Sequence, residues 1–206
     1  MALKTFVKVS NISNLSDARY CAGMGAEMLG FAVEQDAENY IEPQAYSEMI
    51  AWLSGVEFVA EFTKSNLQEI NHILEKYPTH AIQTENEEVL AKLLENVQKQ
   101  EIDTLPIKIL FRTENLETLE LLAEKYASIV AFFILPNATS YTIEQIEPLT
   151  KKYNILLENL GSLSEVETFL QNTQAKGLVL QGTKEIAPGL KDFDDLAEIL
   201  EGLEIE

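Results

Sequence analysis

Cysteine is all but missing from this chain. Cys21 is the only one among 206 residues, so no intramolecular disulfide can form and a CxxC zinc pattern is excluded. Histidine is almost as scarce, and His72 and His80 leave little for a histidine-rich metal site. Basic residues are heavily outnumbered, 15 Lys and Arg against 34 Asp and Glu, for a formal net charge of −19. A phosphate-backbone binder needs a basic face, which this balance argues against. Long apolar runs are lacking too. The longest, near Ile129 to Leu135, falls well short of the ~20 residues of a membrane helix. The opening MALKTFVKVS has neither the apolar core nor the cleavage site of a signal peptide. These absences lead us to expect a soluble, reduced, cytoplasmic protein with neither nucleic acid nor membrane as partner.

What the chain does have is a globular balance, 46% hydrophobic and 24% charged. It also has a regular alternation. Short apolar, β-branched runs fall at Phe6 to Ser10, Met28 to Val33, Val56 to Phe62, His80 to Gln83, Leu105 to Phe111, Ile129 to Leu135, Asn154 to Leu157 and Gly177 to Leu180. Between and after them lie helical stretches. These run from Asn14 or Ser16 to Gly23, Gln44 to Leu53 with Pro43 in the first turn, and Leu67 to Lys76 behind Ser65-Asn66. They continue with a stretch capped by Asn86 to Gln98, Asn115 to Tyr126, Thr142 to Thr150, Leu163 to Gln171 and Asp192 to Leu200. Strands apolar throughout are those of a parallel sheet covered on both faces. Eight strand-helix units of ~26 residues fit the compact limit of a closed (β/α)8 barrel, the TIM barrel. No GxGxxG loop follows the first strand, which weakens the dinucleotide-binding alternative. No linker or composition break interrupts residues 1–206, so a single α/β domain is expected.

In such barrels the chemistry sits at the C-terminal ends of the strands. The polar residues there are Ser10, Asn11, Glu34, Gln35, Glu61, Thr63, Lys64, Gln83, Glu85, Arg112, Asn137, Glu158, Asn159, Gln181, Gly182, Thr183 and Lys184. Other conspicuous residues read as structural: Cys21 a buried thiol on a helix face, His80 at the stability end of a strand, Trp52 a packing residue at a helix end. The acidic run Glu85 to Glu88 reads as a solvated helix face.

The segment VKVSNISNLSDARYCAGMGAEMLGF, Val7 to Phe31, resembles the opening of the phosphoribosylanthranilate isomerase family, K-(I/V)-C-G-(I/T)-T-N-x-x-D-A followed by a helix and G-A-(D)-x-(L/I)-G-F. Lys8, Asn14, Asp17, Ala18, Gly25, Ala26, Leu29, Gly30 and Phe31 match at the right spacing. Tyr40-Ile41 with Pro43 is similar to R-Y-I-x-P, Gln83 to the glutamine of V-Q-L-H-G, Ile107-Lys108 to V-I-K-A, and Pro188 to Asp192 to P-G-x-K-D. The resemblance implies a TIM barrel and an Amadori rearrangement, in which a general acid opens a ribosylamine and a general base removes the C2 proton. It further implies that the base is the cysteine of K-x-C-G and the acid an aspartate ending the sixth strand. The substrate phosphate would be held by backbone N–H groups of the seventh and eighth loops.

At those positions this chain departs. Ser10 stands for the base, Asn11 for the glycine after it, Leu135 for the acid and Asn39 for the arginine. Glu158-Asn159 replaces Gly-Gly, while Gly182 keeps a glycine in the eighth loop. The reading is an isomerase-like barrel whose catalysis is degraded or repurposed to bind another small molecule or a protein, as a monomer or homodimer, with no cofactor and no resident metal. The alternatives are a working isomerase with Glu34 or Glu61 as base and Glu158 as acid, or another enzyme using Glu61, Gln83, Glu158 and Lys184. An acidic mouth would suit an amine or a carboxylate-held divalent cation.

Overall fold

The computed structural model describes residues 2–99, 107–182, 185–187, 190–191 and 194–205. Eight parallel strands follow one another round a closed barrel: β1 (Phe6–Ser10), β2 (Met28–Ala32), β3 (Glu57–Glu61), β4 (Ala81–Thr84), β5 (Lys108–Arg112), β6 (Phe132–Leu135), β7 (Ile155–Glu158) and β8 (Gly177–Gln181). Around them run α1 (Leu15–Gly23), α2 (Pro43–Ile50), α3 (Leu67–Leu74), α4 (Glu87–Gln98), α5 (Leu116–Tyr126), α6 (Ile143–Thr150), α7 (Leu163–Asn172) and α8 (Asp194–Gly202). This is a (β/α)8 TIM barrel. A two-stranded hairpin, β9 (Glu185–Ala187) with β10 (Leu190–Lys191), precedes α8. Lys184 and Pro188, Gly189 and Asp192 of the P-G-x-K-D segment lie outside the described residues.

Local chemistry explains where most helices begin. Asn14, Asn66, Asn86 and Asn115 each turn a side-chain oxygen on to first-turn N–H groups of α1, α3, α4 and α5. Those donors have no partner inside the helix, so a short acceptor side chain at the cap stabilises the start. Closure of the sheet depends on Gly177. A Cβ there would overlap the Phe6 carbonyl, so a side chain would push β8 off β1.

Two apolar layers hold the fold. The larger lies between strands and helices and includes Val7, Val9, Leu29, Phe31, Leu135 and Leu157. The smaller fills the barrel with Met28, Val59, Ala81, Leu110, Ile134, Leu156 and Val179, with Phe6 and Phe132 against it. Those two rings stack at 4.9 Å between centroids. Seven strands thus contribute an aliphatic residue to the interior; on β1 the inward position after Phe6 is Lys8, fully buried.

Three details differ from the sequence reading. Trp52 does not pack: it is 72% exposed, because α2 ends at Ile50 and the chain turns away before β3. β6 begins at Phe132 rather than Ile129, since the N–H groups of Ile129 and Val130 both donate to the Tyr126 carbonyl and complete the end of α5. Leu135 points into the layer under the helices and not into the barrel. Cys21 is fully buried, and His80 Nδ1 accepts the Phe58 N–H at 2.9 Å beside the start of β4. No helix among the described residues is long and apolar enough to cross a membrane.

Candidate functional site

Residues at strand ends with the inward phase converge on a cavity of about 490 Å³ at the C-terminal end of the barrel. Ser10, Glu61, Gln83, Arg112, Glu158 and Gln181 line it from β1, β3, β4, β5, β7 and β8, with Asn11 and Glu34 from the loops. Larger hollows exist, of about 590 Å³ at the opposite end beside His80, about 650 Å³ between α2 and α3, and about 690 Å³ beside Lys4 and the end of α8. In none of them do polar side chains from so many strands meet, so the mouth is the candidate site.

A single hydrogen-bonded chain runs round this mouth. The Lys8 ammonium, beneath it, donates to Ser10 Oγ and to Glu61 Oε1. Glu61 Oε2 accepts the Asn11 N–H at 3.1 Å. Asn11 Nδ2 donates to Gln181 Oε1 at 2.7 Å, and Gln181 Nε2 to Glu158 Oε1 at 2.7 Å. Arg112 Nε donates to Glu158 Oε2 at 2.7 Å, and a second guanidinium nitrogen to Glu85 Oε1 at 3.2 Å. Room for the buried pair is made by Gly30 on β2, where a Cβ would overlap the Glu61 carboxylate. Burial pushes the Glu85 carboxyl above its ordinary value, and the charges of Glu158 and Glu34 add to this against the pull of Arg112. Glu85 is therefore a member of the mouth rather than part of a solvated helix face.

Glu34 has a different task. Its Oε2 accepts the Thr63 N–H and hydroxyl, both at 2.7 Å, and its Oε1 accepts the Lys64 N–H at 3.1 Å and the Ser65 N–H and hydroxyl at 2.8 and 2.6 Å. Burial opposes ionisation, but the hydrogen bonds from Ser65 and Thr63 outweigh it and hold the carboxyl down to about 2. Glu34 clamps the loop between β3 and α3.

The loops after β1, β6 and β7 share one backbone feature. Asn11, Asn137 and Asn159 are all left-handed, with φ of 58°, 50° and 56°. Asparagine tolerates this region better than any other side-chain-bearing residue, because its short amide bonds locally. Asn11 and Asn159 stand where the resemblance implies glycine, the other residue that adopts this backbone readily. Asn159 Nδ2 reaches Asn137 Oδ1 at 3.1 Å. We expect Asn159→Gly to change stability by less than ~0.5 kcal/mol and Asn159→Val to cost about 1–2 kcal/mol in urea unfolding. Equal midpoints for the two variants would contradict the backbone argument.

The two loops in which the resemblance implies phosphate binding are occupied from within. The Gly182 N–H donates to the Ser10 carbonyl at 2.7 Å, where it helps close β8 on β1, so this glycine does not offer its N–H to a ligand. At the start of α7, Glu165 folds back so that its carboxylate accepts the Ser162 N–H at 2.8 Å and the Ser162 hydroxyl at 3.0 Å. Of the strand-end residues singled out from the sequence, Ser10, Asn11, Glu34, Glu61, Gln83, Glu158 and Gln181 line the cavity, Asn137, Asn159 and Gly182 do not, and Lys8 joins the network without having been singled out. The available signal was a lone charge between Val7 and Val9, in phase with Ser10.

These features define a (β/α)8 barrel with a polar, acidic cavity over the C-terminal strand ends. The barrels it resembles in particular are phosphoribosylanthranilate isomerases. The N-(5'-phosphoribosyl)anthranilate isomerase of Rippkaea orientalis is 21% identical over 207 residues, covering 96% of this chain and 95% of the relative. The solved isomerase of Thermus thermophilus superposes with a TM-score of 0.74 at 22% identity, over 96% of this chain and 98% of its own. That of Thermotoga maritima does so with a TM-score of 0.75 at 19% identity, over 97% and 98%. No family model matches the chain. The resemblance read from the β1 segment is thus the one that both kinds of comparison return, over nearly the whole length.

Proposed function

We propose that this barrel no longer performs the Amadori isomerisation of its relatives and that its mouth binds a small molecule without a phosphate group. The observation that carries this reading is that Ser10, Glu34, Glu61 and Glu158, the residues offered above as stand-ins for the ancestral base and acid, are already engaged. Ser10 sits in the base position, but its oxygen accepts from the Lys8 ammonium, which makes it a hydrogen-bond donor toward the cavity and not a base. Both Glu61 oxygens are taken, by Lys8 and by the Asn11 N–H. Both Glu158 oxygens are taken, by Gln181 and Arg112. Glu34 is spent on its loop, and at about 2 its carboxyl is too weak a base to remove a C2 proton. The phosphate region supports the same reading, since Glu165 presents a carboxylate beside the start of α7.

The test is growth of an isomerase-deficient tryptophan auxotroph carrying this chain. No growth without tryptophan is expected. Ser10→Cys restores the thiol but supplies no acid, and loss of one proton-transfer group costs ~10²–10⁴-fold in rate, so that variant also fails. Adding Leu135→Asp will not help, because that side chain points under the helices. Wild-type growth, or measurable turnover of purified protein, overturns the proposal.

A further inference from the structure

We infer that the mouth is built to receive a small organic ammonium ion, with the Gln83 carboxamide as the group that meets it. This deepens the reading above and rests on it. Gln83 ends the polar floor of the cavity from β4, paired in register with Glu61 on β3. It is only 7% exposed, and its Oε1 is buried with no hydrogen-bond partner among the described residues. Neighbouring polar groups form a continuous chain from Glu61 to Glu85 that passes it by. Buried amide oxygens are nearly always paired, so an orphan just beneath a cavity wall is an acceptor that an incoming donor can complete once the carboxamide turns it outward. The terminal torsion of glutamine is soft, which lets the carboxamide turn its oxygen to that donor.

Charge selects the class of donor. Glu34, Asp36, Glu38, Glu61, Glu85 and Glu158 line the cavity against Lys64 and Arg112. Both of those cations are already committed, Lys64 to Asp36 at 3.1 Å and Arg112 to Glu158 and Glu85. The remaining negative field is focused by low-dielectric walls and repels an anion. A divalent metal would need converging ligands, and no three such side chains converge among the described residues. A neutral polyol would satisfy Gln83 and leave the field uncompensated. An ammonium group supplies the missing N–H donors and the missing charge together. A cavity of about 490 Å³ suits a molecule of amino-sugar or diamine size. Burial, and behind it the charges of Glu158 and Glu34, raise Glu85, and a bound cation would favour its ionised form, so affinity should fall as pH is lowered through the carboxylate range.

The experiment is calorimetric titration of the full chain at physiological salt with glucosamine, 1,4-diaminobutane, glucose and ribose 5-phosphate, on the wild type and Gln83→Met. Both amines should bind at least tenfold more tightly than glucose, and Gln83→Met should weaken them at least tenfold. Without ligand, the methionine variant should melt about 3–6 °C higher, because it removes an unpaired buried acceptor at nearly constant volume. Amines no tighter than glucose, amine binding untouched by Gln83→Met, or a lower melting temperature for that variant would each overturn the inference and leave the non-phosphate reading standing. Micromolar binding of ribose 5-phosphate would instead overturn the proposed function itself.

Discussion

Lys8→Met will destabilise the barrel by about 3–5 kcal/mol, the cost of leaving one member of a buried ion pair without its partner. Lys8 is fully buried and Glu61 is 8% exposed, so water cannot solvate whichever charge is left behind. Glu61→Gln should cost a similar amount, since it strands the ammonium. The double variant should recover most of the loss, because two neutral groups of similar size need no compensation, and glutamine can still accept the Asn11 N–H. A urea-unfolding double-mutant cycle measures this as a coupling of several kcal/mol. Additive single effects would show that the pair is not the unit described here. The loss is large against the ~5–15 kcal/mol that holds most domains folded, so the single variants should also express poorly. Ser10 depends on the same ammonium, which donates to its Oγ. With the ammonium removed its hydroxyl is released, and any ligand that reads the Ser10 proton will bind differently.

Glu34→Gln will cost about 2–3 kcal/mol near neutral pH and will remove part of the acid sensitivity of the fold. The carboxyl falls from an ordinary 4.5 to about 2 in the folded protein. A group whose folded value is depressed adds stability that is complete above the unfolded value and is lost as pH falls through the folded one. The contribution is therefore present above about 4.5 and disappears between about 4.5 and about 2. A shift of that size corresponds to ~3 kcal/mol at ~1.4 kcal/mol per unit, reduced by screening at an open mouth. Melting temperatures of wild type and variant should converge near pH 2, draw apart between about pH 2 and about 4.5, and stay apart above that. Parallel curves would mean that the charge on Glu34 is not what holds the loop. Because α3 follows this loop directly, the variant should also loosen the Lys64–Asp36 rim of the cavity.

The arrangement of the mouth shows how a scaffold resemblance can coexist with the changed function proposed for it. Barrel closure depends on Gly177 and on apolar strands, and helix starts depend on asparagine caps; none of these requires catalysis. Asn11 and Asn159 hold left-handed turns that glycine also adopts, so such turns do not depend on which of the two residues is present. The scaffold segments and the site can therefore diverge at different rates on one fold.

Read from its amino acids alone, the chain reveals eight strand-helix units, their asparagine caps and the strand ends that carry polar residues. Those are local properties. A run such as Phe6–Ser10 prefers extended backbone, and Asn14 or Asn66 caps whatever helix follows it. Tertiary structure alone decided which strand-end side chains look inward. A one-residue change of phase separates Ile134, inside the barrel, from Leu135, beneath the helices, and closure with its shear sets that phase. It also decided that Lys8 meets Glu61 fifty-three residues away, that Arg112 is shared between Glu85 and Glu158, and that Trp52 stays exposed. Partners so distant in sequence carry no local signal, because charge pairing acts through space at a few ångströms and only the closed barrel brings them within that range.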